Sequence, residues 1–528
     1  MKRLVILILI SVCLGTFRLS AQMPSQAALK YSRVIDLVNT FYVDTVNVDK
    51  LTEHAIVEML KELDPHSVYI SKEEVKEMNE PLEGSFDGIG VQFNIMEDTI
   101  LIVNPIPGGP SEKLGIKAGD RIIKIDEDLV AGVGVKNNDV FKRLRGNKGT
   151  VVNVSIFRRG EPELLVFAIT RDKIPIYSMD AAYMVDKETG YIKLNRFAAT
   201  TMNEFREASL KLQKQGAKNL ILDLCGNGGG YLNASVDLAD EFLEEKKIIV
   251  FTKGINQPRT DYKATAAGYW GTGRLILLVD EASASASEIV SGAIQDWDRG
   301  LIIGRRTFGK GLVQKPYNLP DGSMMRLTVA KYFTPSGRLI QKPYEDGYSD
   351  YSKDIINRYN NGELMNEDSI HFPDSLKTAT LVSKRVVYGG GGIMPDFFVP
   401  LDTTAYTDLY RDIQRKGLLY KYVIGYLDKN RNELEAKYTD FKTFNTTFEV
   451  PGYMTDSIIS MAEKEKITIK EEEKPKTRTE LSLMIKALLA RDLWNTSEYF
   501  EVINTTRPEY LKAVEVIADK KKYTDKLK

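Results

Sequence analysis

Ser285 and Lys310 are the residues of this sequence with the clearest capacity for chemistry. The serine lies in Glu281-Ala-Ser-Ala-Ser-Ala-Ser-Glu288 and the lysine in Thr307-Phe-Gly-Lys-Gly-Leu-Val-Gln314. A serine hydroxyl is a weak nucleophile until a neighbouring base takes its proton, and a desolvated lysine held neutral can be that base. Histidine is scarce: His54, His66 and His371 are the only three, each far in sequence from the serines. The pair therefore points to acyl transfer by a Ser-Lys peptidase.

The flanking elements suit that chemistry. Arg274-Leu-Ile-Leu-Leu-Val-Asp280 is a short apolar run of buried-strand type, and Ser287 to Ile294 changes to a helical pattern. A nucleophile at such a junction meets outward-pointing N–H groups and the positive end of the helix dipole, both of which favour an oxyanion. The amide of Ala286 is the first expected donor. The glycine-rich loop Asp223-Leu-Cys-Gly-Asn-Gly-Gly-Gly230, after the apolar strand Leu220-Ile-Leu222, is the expected source of the second. Leu301-Ile-Ile-Gly304 reads as a further buried strand that delivers Lys310 on a loop between Gly309 and Gly311.

Ser-Ala-Ser-Ala-Ser-Glu, followed by Phe-Gly-Lys-Gly-x-Val-Gln with the lysine at 310 and the glutamine at 314, resembles the carboxyl-terminal processing proteases, tail-specific serine peptidases. The resemblance implies Ser285 as nucleophile, Lys310 as general base, Gln314 as the residue orienting the lysine and Gly229 as the second oxyanion donor. Ser283 and Ser287 become neighbours. The family loop usually reads Asp-Leu-Arg-x-Asn-Pro-Gly-Gly, so Cys225 and Gly228 depart from it. A three-glycine run costs more entropy to order, and the hole is expected to stay loose until substrate arrives.

The resemblance extends over roughly residues 30 to 400 and implies a crotonase-like α/β peptidase core with an inserted PDZ domain and an N-terminal helical segment; with the mainly helical pattern from 402 onward, the expected fold is a multidomain α/β protein with a C-terminal helical extension. Expected boundaries are 27–80 for the helical segment, 84–172 for the PDZ domain, 173–401 for the core and 402–528 for the extension. In the PDZ region, Phe86-Asp-Gly-Ile-Gly-Val-Gln-Phe93 precedes Leu114-Gly-Ile-Lys-Ala-Gly-Asp120. Amides around Gly88, Ile89 and Gly90 are placed to capture a terminal carboxylate, and the edge from Val91 to Asn94 to accept a peptide by β-augmentation. A pocket beside Ile89, Val91 and Phe93 favours an apolar final side chain, so the expected partners are proteins or peptides with free, apolar C-termini.

Leu63-Asp-Pro-His-Ser67 ends the helical segment, and His66 reads as shaping that turn. Residues 343–378 read as a polar, tyrosine-rich insertion of unknown role. In the extension, Leu481, Met484, Ile485, Leu488 and Leu489 fall on one helical face that packs on this chain's own core or on a second subunit, which leaves a homodimer open.

At 528 residues the chain is too long for one core, and its net charge of −1 offers no global basic surface for nucleic acid. Met1-Lys-Arg followed by an apolar stretch from Leu4 to Leu14 is a secretory signal pattern, expected at 1–21 and implying a periplasmic product. A retained anchor, or a lipid at Cys13, is the competing reading. Without the signal only Cys225 remains, so no internal disulfide is expected. No zinc-ligand spacing or Walker loop occurs, and neither metal nor cofactor is expected. The reading opposed to a peptidase is a PDZ scaffold or chaperone on an inactive peptidase-like body.

Overall fold

The computed structural model describes residues 25–528 apart from positions 267, 346 and 405, so the expected signal peptide at 1–21 lies outside the described residues. The chain divides into two compact units, one ending at Leu63 and the other spanning Asp64–Lys528. The first holds two helices, Gln26–Phe41 and Val48–Lys61, whose starts are capped by Ser25 and Asn47. Such caps satisfy N–H groups that a first helical turn leaves unpaired. On the second helix and just after it, Leu60 is buried while Met59 and Leu63 are exposed.

The second unit is built on a six-stranded sheet. Its strands run Met179–Met184, Thr189–Leu194, Asn219–Asp223, Leu275–Val279, Leu301–Gly304 and Phe397–Phe398, in sequence order across the sheet. The first pair is antiparallel and the rest are parallel. Asn219–Asp223, Leu275–Val279 and Leu301–Gly304 are buried along their whole length, which is why they read as unbroken apolar runs. On one face Leu220, Leu222 and Leu277 pack against Phe205, Leu238 and Ile289. On the other, Ile221, Ile276 and Leu278 pack against Tyr510, Ala513 and Val516. The tail helix Pro508–Ala518 thus forms the second helical layer on this sheet, and the region expected as one extension is divided between two cores.

Beside this sheet stands a five-stranded one centred on Met324–Phe333. That long strand pairs with Leu312–Asn318 along its length, with Val68–Ile70 at its start and with Ile248–Gly254 at its end. Between Ser85 and Pro175 lies a separate sheet whose entry and exit are tied together by the pair Ser85–Gly88 and Asp172–Pro175. Within it, Val91–Met96 pairs only with Thr99–Pro105 and is the edge strand, flanked by the helix Asn137–Leu144.

Helices from Asp408 to Ile503 enclose their own core. Leu481, Ile485, Leu488 and Leu489 belong to it, so the apolar stripe packs within this chain. The same helices hold the PDZ region: Ile424 packs on Leu101 and Val103, and Asp428 accepts both arms of the Arg121 guanidinium at 3.2 and 2.8 Å. Among the described residues no helix is long and apolar enough to cross a membrane, and no grouping of His, Cys, Asp and Glu could hold a metal ion.

Candidate active site

Ser285 sits where the strand Leu275–Val279 turns into the helix Ala286–Asp296, at φ 56° and ψ −110°. A side chain at positive φ crowds its own backbone, and a residue held in such a conformation costs about 1–3 kcal/mol that the surroundings must offset. The neighbouring serines help to do so. The Ser283 hydroxyl donates to Leu224 O at 2.8 Å and that of Ser287 to Asn227 O at 2.8 Å, which bolts the turn to the glycine-rich loop. Both are fully buried, and of the three only Ser285 lines the adjoining cavity of about 520 Å³.

Glu288, fully buried one turn into the helix, joins that turn to the lysine loop. Its carboxylate accepts the Ser285 N–H at 2.8 Å, the Lys310 N–H at 2.9 Å, the Gly309 N–H at 2.7 Å and the Thr307 hydroxyl at 2.6 Å. Burial pushes its carboxyl above the usual range while these donors pull it back, and a partner set made only of donors is that of the ionised form. Tyr332 adds a second tie: its hydroxyl is within hydrogen-bonding reach of the carbonyls of both Ser285 and Lys310.

Lys310 lines the same cavity as Ser285. Burial, with the charge of Arg326 behind it, lowers its pKa to about 8 against the pull of Glu288 and Asp64. The loop that carries it is held from the 343–378 insertion. Arg358, on the helix Tyr348–Asn360, is buried and donates to Thr307 O at 2.8 Å and Phe308 O at 3.1 Å. Gly309, at φ 88°, passes so close to Gly391 and Gly392 that a Cβ there would meet their backbone at 3.1 Å.

Gly229 is packed on Ser285, since a Cβ at that position would fall 2.8 Å from Ser285 Cβ and 3.0 Å from Ala286 N. Its N–H, however, donates to Asn227 Oδ1 at 2.9 Å, while Ala286 lines the cavity at the start of the helix. The base of this loop is Asp223, fully buried, which accepts Tyr191 OH at 2.6 Å and Arg507 Nη1 at 2.7 Å. Arg507 comes from the tail, just before the Pro508–Ala518 helix. Lys193 Nζ donates to Cys225 O at 2.9 Å, and burial pushes the Cys225 thiol well up, as suits an inert free cysteine.

Gln314 also lines the cavity, but its Nε2 donates to Thr328 Oγ1 at 3.2 Å, and among the described residues it makes no hydrogen bond to Lys310. Thr328 in turn donates to Asp64 Oδ1 at 3.0 Å. The turn expected at His66 is thereby linked to the cavity-lining Gln314 through Thr328. Asp64 caps it by accepting the His66 and Ser67 N–H groups, and His66 Nε2 lies 2.8 Å from Tyr351 OH. Burial, then the charge of Lys310, lowers the His66 pKa to about 4 and keeps the ring neutral.

In the PDZ region Gly88 pairs with Asp172, and Ile89 is buried in the domain core. Gly90 adopts φ 73°, and Val91 and Phe93 lie half-buried on the edge strand. Phe93 meets Phe141 of the flanking helix at 5.3 Å, and Arg145 lies over Phe141 and Phe86 while pairing with Glu80 at 2.8 Å. Glu80 belongs to the helix Lys72–Glu83, whose Asn79, Leu82 and Glu83 line the active-site cavity.

Sequence reasoning gave no role to Glu288, Tyr332, Arg358, Asp64 or Arg507. Only Glu288 carried a signal, as the last residue of the serine motif. The others come together through the fold alone.

A layered α/β core with a serine on a strained strand-to-helix turn and a half-buried lysine on one cavity, preceded by a PDZ-like sheet, is the layout of a serine-peptidase site beside a PDZ domain. Residues 188–347 match peptidase family S41, residues 88–167 match the PDZ domain family and residues 409–495 match a family of unknown function. The chain carries a domain of peptidase family S41 and a PDZ domain. It is 36% identical over 314 residues to the carboxy-terminal processing protease CtpA of Bacillus subtilis, covering 59% of this chain and 66% of that protein. It is also 36% identical over 313 residues to a "Probable CtpA-like serine protease" of Staphylococcus aureus, covering 59% of this chain and 62% of that one. The chain thus matches less than two thirds of either relative's own length. Among solved structures, the photosystem II D1 C-terminal processing protease is 30% identical, with 60% of this chain and 90% of that one covered at a TM-score of 0.34. The PDZ domain of a Vibrio cholerae carboxy-terminal protease, solved with a peptide, is 34% identical over 17% of this chain and 97% of its own, at a TM-score of 0.16.

Proposed function

We propose that this chain is an exported, periplasmic serine endopeptidase that selects proteins by their free, apolar C-termini and cleaves them through an acyl-enzyme on Ser285. The observation that carries the reading is the strained Ser285 at a helix start, sharing one cavity with a lysine of lowered pKa. Ser285 Oγ attacks the scissile carbonyl carbon as Lys310 Nζ takes the hydroxyl proton, and negative charge gathers on the carbonyl oxygen near the start of the helix. Collapse of that adduct breaks the C–N bond, and Lys310 returns the proton to the departing amine. Water then attacks the ester with the same base, releasing the new C-terminal acid and restoring the serine. With a pKa of about 8, roughly a tenth of Lys310 is neutral at pH 7.

The Gly229 N–H, directed at Asn227 Oδ1, favours a site that completes its oxyanion hole only when peptide enters. Rotation of that one peptide group toward the cavity supplies the second donor beside Ala286, worth about 3 kcal/mol in the transition state. The edge strand Val91–Met96 and the phenylalanine contact beside it are the surface on which a C-terminal peptide adds as a further strand. The test is peptide turnover by the wild type, Ser285→Ala and Lys310→Ala, with C-terminal peptide binding measured on each. Loss of turnover in both variants with binding retained supports the peptidase. Unchanged turnover overturns it in favour of an inactive scaffold.

A further inference from the structure

Arg326 stands on the strand Met324–Phe333, half-buried, in the wall of the cavity that holds Ser285 and Lys310. Other buried arginines of this unit have counter-charges: Arg338 pairs with Asp296, Arg305 with Glu281 and Glu509, and Arg358 with Asp354. Among the described residues Arg326 forms no ion pair or hydrogen bond through its guanidinium, and burial alone lowers its pKa. Asp64, whose charge reaches Lys310, is already engaged. Its Oδ1 accepts the His66 and Ser67 N–H groups and the Thr328 hydroxyl, and its Oδ2 accepts the Ser67 hydroxyl. Glu83 also lines the cavity, but it is exposed.

A guanidinium taken out of water without a counter-ion is unfavourable, and the nearby lysine makes it more so. Its fixed fork matches a carboxylate through two parallel hydrogen bonds. We infer that Arg326 forms a carboxylate subsite of the active-site cavity, taking an acidic group of the bound peptide close to the bond that is cut. The group is either a Glu or Asp side chain or the free α-carboxylate of the fragment that leaves. This assignment rests on the peptidase reading of Ser285 and adds a preference for acidic substrates to it.

The experiment compares full-length wild type, Arg326→Gln and Arg326→Lys on matched fluorogenic peptides. One set has amidated ends and carries Glu or Gln at successive positions on either side of the cleaved bond, which keeps the carboxylate site of the PDZ domain out of the comparison. A second set differs only in a free or amidated C-terminus. In the wild type one set shows a preference in kcat/KM for the acid, and in Arg326→Gln that ratio falls about tenfold, with part of it kept in Arg326→Lys. The set that responds identifies the source of the carboxylate. Ratios that are the same in wild type and Arg326→Gln for both sets overturn the subsite. If Ser285→Ala cleaves as fast as wild type, the peptidase reading is what has failed. The subsite is then judged by binding of the amidated Glu and Gln peptides to Ser285→Ala with and without Arg326→Gln: a Glu preference lost with Arg326 supports it, and equal binding overturns it.

Discussion

Four donors converge on the buried carboxylate of Glu288, two of them the N–H groups of Ser285 and Lys310 themselves. One side chain therefore fixes the strained backbone of Ser285, the proposed nucleophile, and the backbone of Lys310, its proposed base, through their N–H groups. Glu288→Gln keeps the shape but turns an NH₂ toward N–H donors. The expected result is a loss of about 3 kcal/mol in stability, read by urea unfolding, with kcat lowered about 100-fold and KM changed much less. At this scale the motif spacing made Ser285 and Lys310 legible, because a serine between small residues and a lysine between glycines stand out in a histidine-poor chain. The partner of Gln314 was not legible. Thr328 and Asp64, to which it is linked, are brought to it by two strand pairings, and no local pattern encodes them.

Among the elements, the parallel strands of the core were readable as apolar runs. The tail was readable only as helical. A stripe of Tyr510, Ala513, Val516 and Ile517 says that a helix has a face to bury, but not that it covers the far side of the central sheet. The 343–378 insertion was equally opaque, since Arg358 gains its purpose from carbonyls of a loop that precedes it by some fifty residues. The tail helix also brings Arg507 to Asp223. Burial alone would raise that carboxyl, yet the charges of Lys193 and Arg507 hold it well below the usual range. A depressed carboxylate stabilises the fold above its unfolded pKa, and the gain is lost as pH falls through the folded value. Arg507→Ala leaves this charge buried with weaker compensation. It is expected to cost about 3–5 kcal/mol at neutral pH, measured by urea unfolding, with the gap to wild type narrowing below about pH 4. Turnover falls with it, because Asp223 anchors the loop that carries Gly229.

For the whole molecule, the 64–528 unit joins the layered α/β core that holds the cavity to a PDZ domain and a helical domain. The PDZ domain is held at two places, by Arg121 on Asp428 of the helical domain and by Arg145 on Glu80 of a helix that lines the cavity. The order of its glycine-containing elements made the domain visible in the sequence, whereas both contacts pair charged residues far apart in the chain whose types are ordinary. The proposed mechanism turns on one event, transfer of the Ser285 proton to a neutral Lys310. Its most direct measure is the pH dependence of modification of the full-length chain by a serine-directed phosphonate, with the modified residue mapped by mass spectrometry. The neutral base gains population as pH rises, so the account predicts label on Ser285 at a rate rising about tenfold per pH unit and levelling above about pH 8. Lys310→Met should slow that labelling at least about 100-fold. Label on another residue, or a rate indifferent both to pH and to the loss of Lys310, would contradict it.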